Sequence, residues 1–356
     1  MPKPVKILLK ILLIVVLAVV VLFGGLLAFL TITEYRPADV EPLAPLSLAA
    51  ADPLPAGESL DLLSWNIGYA GLGAGSDFFM DGGKDARSAD RDTVLQYLAG
   101  INATLTEEGY DLTMLQEVDA DSSRTYSIAE TTALARGNSF YALNYSCPFV
   151  PIPIPPMGKV HSGLLTLSDY MVDSAQRVSL PCPFSWPLRT ANLKRCLLVS
   201  YLPIEGTDKQ LVLVNLHLDA YDDGEGKIAQ TNVLRSFLQS EYEKGNYVIA
   251  GGDFNQTFPG SLEVYPMLDA DYWTPGVLDD SLLPEGWRFA YDPSAPTCRL
   301  LNQPYDPADT AHTQYYVIDG FILSPNVTLE QVETLDLAFA NSDHNPVHLR
   351  FTLGAE

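Results

Sequence analysis

Apolar and polar positions along the chain change period several times, and each change marks an element. Residues 59–67 (SLDLLSWNI) form an apolar run of strand length. Val94, Leu98, Ile101 and Leu105 then recur at helical spacing, which predicts a helix over about residues 90–108. A second short apolar run, DLTMLQEV, covers 111–118. Further strands are predicted at 162–168, 195–202, 210–218, 247–254, 315–323 and 346–353. Ile228, Leu234, Phe237, Leu238 and Tyr242 predict a second helix between the strands at 210–218 and 247–254. Strands outnumber helices and the two kinds interleave, so layered α/β packing with sheets at the centre is expected. The stretch 256–314 is polar and rich in Pro, Trp and Tyr, and reads as loops.

The first 33 residues behave differently. Residues 11–32 are apolar and uncharged, a run long enough to cross about 30 Å of hydrocarbon. A buried core helix would show a polar face, and this run has none. A cleaved signal has a shorter apolar part ending in a small-x-small site, whereas here the run ends in Phe29-Leu30-Thr31-Ile32. An uncleaved single-pass anchor over 11–33 is therefore the preferred reading. Lys3, Lys6 and Lys10 precede it, making 1–10 a basic cytoplasmic tail by the positive-inside rule and sending the rest of the chain outside. Residues 34–57, with Pro37, Pro42, Pro45, Pro53 and Pro55, read as a semi-stiff stalk. The body then runs from 58 to 356.

Charge adds a constraint. The 356 residues hold 21 Lys and Arg against 44 Asp and Glu, a net −23. The tail carries +3, leaving −26 on the remainder. So acidic a body is poorly suited to a broad electrostatic grip on nucleic acid, and no stable nucleic-acid complex is expected. With 47% apolar and 18% charged residues, global disorder is excluded. The four cysteines, Cys147, Cys182, Cys196 and Cys298, contain no CxxC pair. Outside the cytoplasm they permit disulfides, with Cys182–Cys196 the first choice; buried free thiols are the equal alternative.

Several polar residues fall where predicted strands end: Asn66, Glu117, His217, Asp253, Asn255, Asp343 and His344. Any one of the Asp or Asn residues alone is an ordinary turn former, and a lone histidine is an ordinary core residue. Asp319 stands inside the apolar run VIDGFIL, where a carboxylate must be paired or solvated. As a set they offer hard oxygen ligands for a cation such as Mg²⁺ and histidines for proton transfer.

The set resembles the endonuclease/exonuclease/phosphatase superfamily, which includes deoxyribonucleases, abasic-site endonucleases, neutral sphingomyelinases and inositol-polyphosphate phosphatases. The resemblance rests on Ser64-Trp65-Asn66-Ile67, Gln116-Glu117, Asn215-Leu216-His217, Gly252-Asp253-Phe254-Asn255, Ile318-Asp319 and Ser342-Asp343-His344-Asn345-Pro346, in family order. Ser162-Gly163 and Pro296-Thr297-Cys298-Arg299 resemble weaker family elements. The match covers residues 59–353. It implies a four-layer α/β/β/α sandwich of two mixed β-sheets flanked by helices. It also implies Glu117 as the main Mg²⁺ ligand (Mn²⁺ as a substitute), with Asn66 and Asp343 close to the metal. His344 would be the general base and Asp319 would orient it. His217 and Asn255 would contact phosphoryl oxygens, and Asp253 would orient the nucleophile or assist the leaving oxygen. His161 stands where many members carry Tyr or Arg, and is either a phosphate contact or a loop residue.

The function expected is hydrolysis of a phosphoester by a membrane-anchored monomer outside the cytoplasm. A lipid headgroup or small phosphoester is preferred as substrate, with an extracytoplasmic nuclease as the alternative. The apolar segment 148–156 (PFVPIPIPP) is read either as a rigid loop or as an element dipping into a bilayer beside the site. A non-catalytic binding protein on the same fold is the reading from another class.

Overall fold

The computed structural model describes residues 2–107, 109–220 and 225–354. It contains two seven-stranded mixed sheets. In the first, the strands run in the order 40–42, 174–179, 196–203, 210–217, 247–253, 319–323, 288–290. In the second, the order is 327–334, 347–353, 59–66, 112–119, 158–168, 138–150, 45–47. Helix Glu225–Glu243 buries Leu234 and Leu238 against Val212, Val214 and Val248 on the outer face of the first sheet. Helix Arg91–Glu107 buries Val94, Leu98, Ile101 and Leu105 against Leu63, Trp65 and Leu115 on the outer face of the second. The order of layers is thus helix, sheet, sheet, helix, as expected.

The layer between the sheets explains where a site can form. Side chains alternate along a strand, so each central strand sends every second residue inward. Leu60 and Leu62, Leu112 and Met114, Leu211 and Leu213, and Tyr247 and Ile249 make one apolar core. Continuing the same alternation toward the C-terminal ends gives Ser64 and Asn66, Gln116, Asn215 and His217, and Gly251 and Asp253. The interlayer therefore passes from apolar to polar along the strands. Its middle is closed by Gln116 Nε2 donating to Asn215 Oδ1 at 2.8 Å, from one sheet to the other. Asn215 Nδ2 donates to the carbonyls of Leu115 and Leu165, both at 3.1 Å. At Gly252 (φ 141°) a Cβ would lie 2.0 Å from the Leu216 carbonyl, so only glycine lets this strand end approach its neighbour.

Three expectations need correction. The segment read as a stalk lies on the domain instead. Residues 40–42 pair with 176–178, residues 45–47 pair with 139–140, and Leu54 is fully buried and bridges Ile204. Proline is tolerated there because both short strands are sheet edges. The cysteines are all free thiols, with Cys147, Cys196 and Cys298 buried and Cys182 exposed. Cys196 sits inside a paired strand, and Cys182 lies in the loop before it. Ile228 is exposed and does not belong to the buried stripe of its helix. The N-terminal helix spans Lys3–Ile32 and is long and apolar enough to cross a membrane.

Replacing Asn215 by Ala should destabilise the fold by about 2–3 kcal/mol, because Gln116 and two carbonyls lose a buried partner. Urea unfolding of the detergent-solubilised full chain would measure this; an unchanged midpoint would show that the inter-sheet bond contributes nothing net.

Candidate active site

Every residue that motif order singled out, except His161, meets at the polar end of the interlayer. Strand pairing does much of the placing. Asp253 is opposite His217 on one side and opposite Asp319 on the other. Asn66 is opposite Gln116 in the other sheet. Glu117 follows at φ 54°, within a bulge between Leu115 and Val118 that re-aims its side chain. The 342–345 turn is fixed by Ser342 Oγ donating to the Asn66 carbonyl at 2.7 Å and by Trp65 Nε1 donating to the His344 carbonyl at 2.8 Å. Thr297 Oγ1 accepts from the backbone N–H groups of Ile318 and Asp319, which holds the start of that strand in place.

His344 Nδ1 is 2.8 Å from Asp319 Oδ2, and both residues are buried. Its Nε2 lies 3.4 Å from Asn66 Nδ2 and 3.7 Å from Asp253 Oδ2. Asn66 Nδ2 also donates to Asp253 Oδ2 at 3.0 Å and to Glu117 Oε1 at 3.3 Å, while its Oδ1 accepts from the Gly68 N–H at 3.0 Å. Asn66 was expected near a metal. Here its oxygen is bonded to the backbone and its NH₂ faces Asp253 and Glu117. His217 Nε2 is 3.4 Å from Asp253 Oδ2 and 3.9 Å from Glu117 Oε1. One Asn255 amide hydrogen goes to the Leu218 carbonyl at 2.9 Å, and its own N–H donates to Asp253 Oδ1 at 2.8 Å.

Glu117, His217, Asp253, Asn255, Asp343 and His344 line a cleft of about 350 Å³, and Asp81 and Asp219 also stand on its wall. Burial raises the Asp343 carboxyl to about 7, with the neighbouring Glu117 charge adding to the effect. Burial, then the Asp319 charge, raises Asp253 to about 6. Burial pushes His217 well below the ordinary histidine value, assisted by the positive charges of Arg195 and His344. Burial also opposes the His344 imidazolium, but Asp319 more than offsets it and the group is held well above the ordinary value.

The donor set fits a divalent cation. Oxygen atoms predominate, and two of the carboxylates hold protons up to near-neutral pH when no cation is at hand. Glu117 and Asp343 are the open ligands, since His344 and Asp319 are bonded to each other. Asp253, Asp319 and His344 also place donor atoms within 4.8 Å of one another, but that group already contains the 2.8 Å pair.

His161 does not reach the cleft. Its neighbour Ser162 lines it, and alternation along the strand turns His161 to the other side, where its own N–H bonds Ser122 Oγ. Two cleft cations escaped the sequence reading as site residues. The Arg124 guanidinium lies 3.5 Å over the Tyr69 ring and forms a bidentate pair with buried Asp119. Arg195 is buried, with Nε and Nη1 lacking hydrogen-bond partners and Asp219 Oδ1 3.6 Å from Nε. Only the Lys194-Arg195 doublet hinted at the second; nothing in the local pattern marked the first.

A fold of this kind with polar groups gathered at one sheet edge defines a class, and comparison names it. The model of the Endonuclease/Exonuclease/phosphatase family matches residues 63–344, and the chain belongs to that family. Among solved structures it resembles an endonuclease/exonuclease/phosphatase from Beutenbergia cavernae (TM-score 0.55, 16% identity, covering 83% of this chain and 72% of that one). It also resembles one from Bacteroides vulgatus (TM-score 0.52, 16% identity, 83% and 99%) and a conserved protein of unknown function from Enterococcus faecalis (0.52, 14%, 82% and 99%). At these identities the likeness is one of fold. No curated protein sequence matches the chain.

The raised acids make a prediction. Between 3.8 and about 7 the folded protein binds more protons at Asp253 and Asp343 than the unfolded chain, so their contribution to stability falls as pH rises through that window. A divalent cation must displace those protons when pH is low and relieves bare repulsion when it is high. Mg²⁺ should therefore raise the melting temperature more at about pH 8 than at about pH 5.5. Equal shifts at both values would mean that these acids do not face the cation.

Proposed function

We propose that the chain is a membrane-anchored, divalent-metal-dependent phosphoesterase, with its catalytic domain outside the cytoplasm, that hydrolyses phosphate mono- or diesters by in-line attack of water. The observation that carries this reading is the buried Asp319–His344 pair, 2.8 Å apart, whose His344 lines a cleft shared with Glu117, Asp253 and Asp343. A bound Mg²⁺ or Mn²⁺ would supply Lewis acidity toward the phosphoryl oxygens and the positive charge that lets an anion approach so acidic a site. Glu117 and Asp343 would hold it.

The remaining roles belong to the chain's own groups. Asp319 fixes the ring of His344 and its tautomer, leaving Nε2 to face the cleft. The same carboxylate makes the ring more basic, and it is the neutral form of His344 that takes a proton from the attacking water. Oxygen of that water bonds to phosphorus as the ester oxygen leaves. Asp253, raised to about 6, is the acid placed to hand a proton to that leaving oxygen. His217 stays neutral, so it can donate an N–H without adding charge. Arg195 and Arg124 line the same space and can neutralise charge building on the equatorial oxygens, to which Asn255 can donate.

Full-length protein in detergent should hydrolyse bis(nitrophenyl) phosphate with Mg²⁺, lose the activity in EDTA and regain it on adding Mg²⁺ or Mn²⁺. His344→Ala should lower kcat by about 10²–10⁴, the usual share of a positioned acid–base group. Retention of full rate in that variant would remove His344 from the chemistry. A panel of sphingomyelin, phosphoinositides, duplex DNA, RNA and small phosphomonoesters would then assign the substrate.

A further inference from the structure

The N-terminal helix does not leave the domain on a tether. Its last turns are docked into it. Leu30 is only 4% exposed and sits among Cys147, Val150, Met157 and Val160, with Leu26 against the same cluster. Trp186 Nε1 donates to Thr31 Oγ1 at 3.1 Å. Two residues past the helix, the Glu34 side chain is buried between Arg36, Arg189 and Lys194, at 2.9, 3.2 and 3.6 Å. From there the chain passes directly into the edge strand 40–42.

Length fixes what this means at a bilayer. At 1.5 Å per residue, about 30 Å of hydrocarbon takes roughly 20 helical residues. Counted from Lys10, the last charged residue before the run, that distance ends near Leu30. The domain therefore touches the helix where the hydrocarbon ends. Around that point several large apolar side chains stand exposed: Ile154 is 94% exposed, Leu188 66%, Ile152 61% and Trp186 53%. Cations rim them. Beside Arg36, Arg189 and Lys194 stand Arg87, which donates to the Pro156 carbonyl, and Lys159, paired with Asp121. In a domain of such negative charge this collar is the part suited to phospholipid headgroups. Apolar tips surrounded by cations make an interfacial surface.

The same cluster that seats the helix also walls the cleft: Phe78, Tyr145 and Met157 belong to both. Resting on the reading of this chain as an anchored phosphoesterase, we infer that the domain sits flat on the bilayer that holds its own helix. Ile152, Ile154, Trp186 and Leu188 are immersed in the interface there, and the cleft takes its phosphoester from an amphiphile of that leaflet.

The test uses the full chain in phosphatidylcholine/phosphatidylglycerol nanodiscs. In a Cys182→Ser background the other three cysteines are buried, so a nitrobenzoxadiazole label can be placed by Ile154→Cys. The control site is Thr328→Cys, on the edge strand five strands from 138–150 in the sheet order, or about 24 Å at the usual strand spacing. Label at 154 should shift to the blue and be quenched by nitroxide-bearing lipid, whereas label at 328 should be quenched only by aqueous iodide. If both labels behave as aqueous, the docked geometry is overturned. The second arm compares hexadecyl nitrophenyl phosphate in the disc with soluble ethyl nitrophenyl phosphate. Preference for the tailed ester should fall about tenfold or more in Ile152→Asp/Ile154→Asp, since immersed apolar tips anchor by buried area, with the soluble ester cleaved as before. Equal use of both esters by the unaltered protein would overturn the lipid-derived substrate. Failure to cleave either ester would sink the phosphoesterase reading instead, and the label depths would still decide the docking.

Discussion

The structure turns on carboxylates that two sheets bring to one buried edge. Two unit charges about 4 Å apart interact by about 4 kcal/mol in a partly buried protein environment. A hydrogen bond to a charged group returns about 1.5–3 kcal/mol. Glu117, Asp253, Asp319 and Asp343 therefore cannot all stay ionised on the strength of Asn66 and the Asn255 N–H alone. The molecule answers with protons on Asp253 and Asp343, with the Asp319–His344 pair, and with room for a cation. Each answer is also a catalytic resource, since a site that must attract a proton or a metal to remain folded already holds what phosphoester hydrolysis needs.

The gradient between the sheets makes that crowding tolerable. Leu60, Leu62, Met114, Leu211, Leu213 and Ile249 fill the apolar end, where the sheets can pack without polar atoms. Gln116 and Asn215 form the boundary, satisfying one another across the layer. Beyond them the interlayer opens as the cleft. Strand register thus sets stability and chemistry at once. A slip of one residue in the strand 210–217 would bury His217 and Asn215 on the outer face and aim Leu216 at the cleft.

Much of this was legible in the sequence. Strands 59–66, 112–119, 210–217 and 247–253 and both flanking helices follow from periodicity, and the order of motifs points to Glu117, Asp253, Asp319 and Asp343, though not to Asp81 and Asp219, which also line the cleft. What stayed hidden has physical reasons. The long strand 138–150 carries Asn138, Asn144 and Ser146 among its apolar residues, because one of its neighbours is only the short edge strand 45–47, and so it lacks a clean run. Prolines at 42 and 45 suggest a free linker, yet at a sheet edge a missing N–H costs nothing. His161 looked like a site residue from proximity in sequence, but parity along the strand decides which face it takes. Arg124 reaches the cleft through a buried pair with Asp119 and a contact with Tyr69, which no local pattern encodes.

Charge, read whole, argues against phosphate chemistry; read by place, it does not. The Debye length in physiological salt is about 8 Å, so most of the −26 acts only on what lies close to it. At the cleft Arg124 and Arg195 stand among the acids, and at the end of the N-terminal helix the near charges include Arg36, Arg87, Lys159, Arg189 and Lys194. A long polyanion must cross many acidic patches to present one phosphate and gains few cations for counterion release. A single phosphoester arriving along the cationic rim meets the opposite balance. On the proposed reading the acidic remainder would act as a filter, repelling extended polyanions over most of the surface and leaving one approach favourable, on the side where the helix enters the domain.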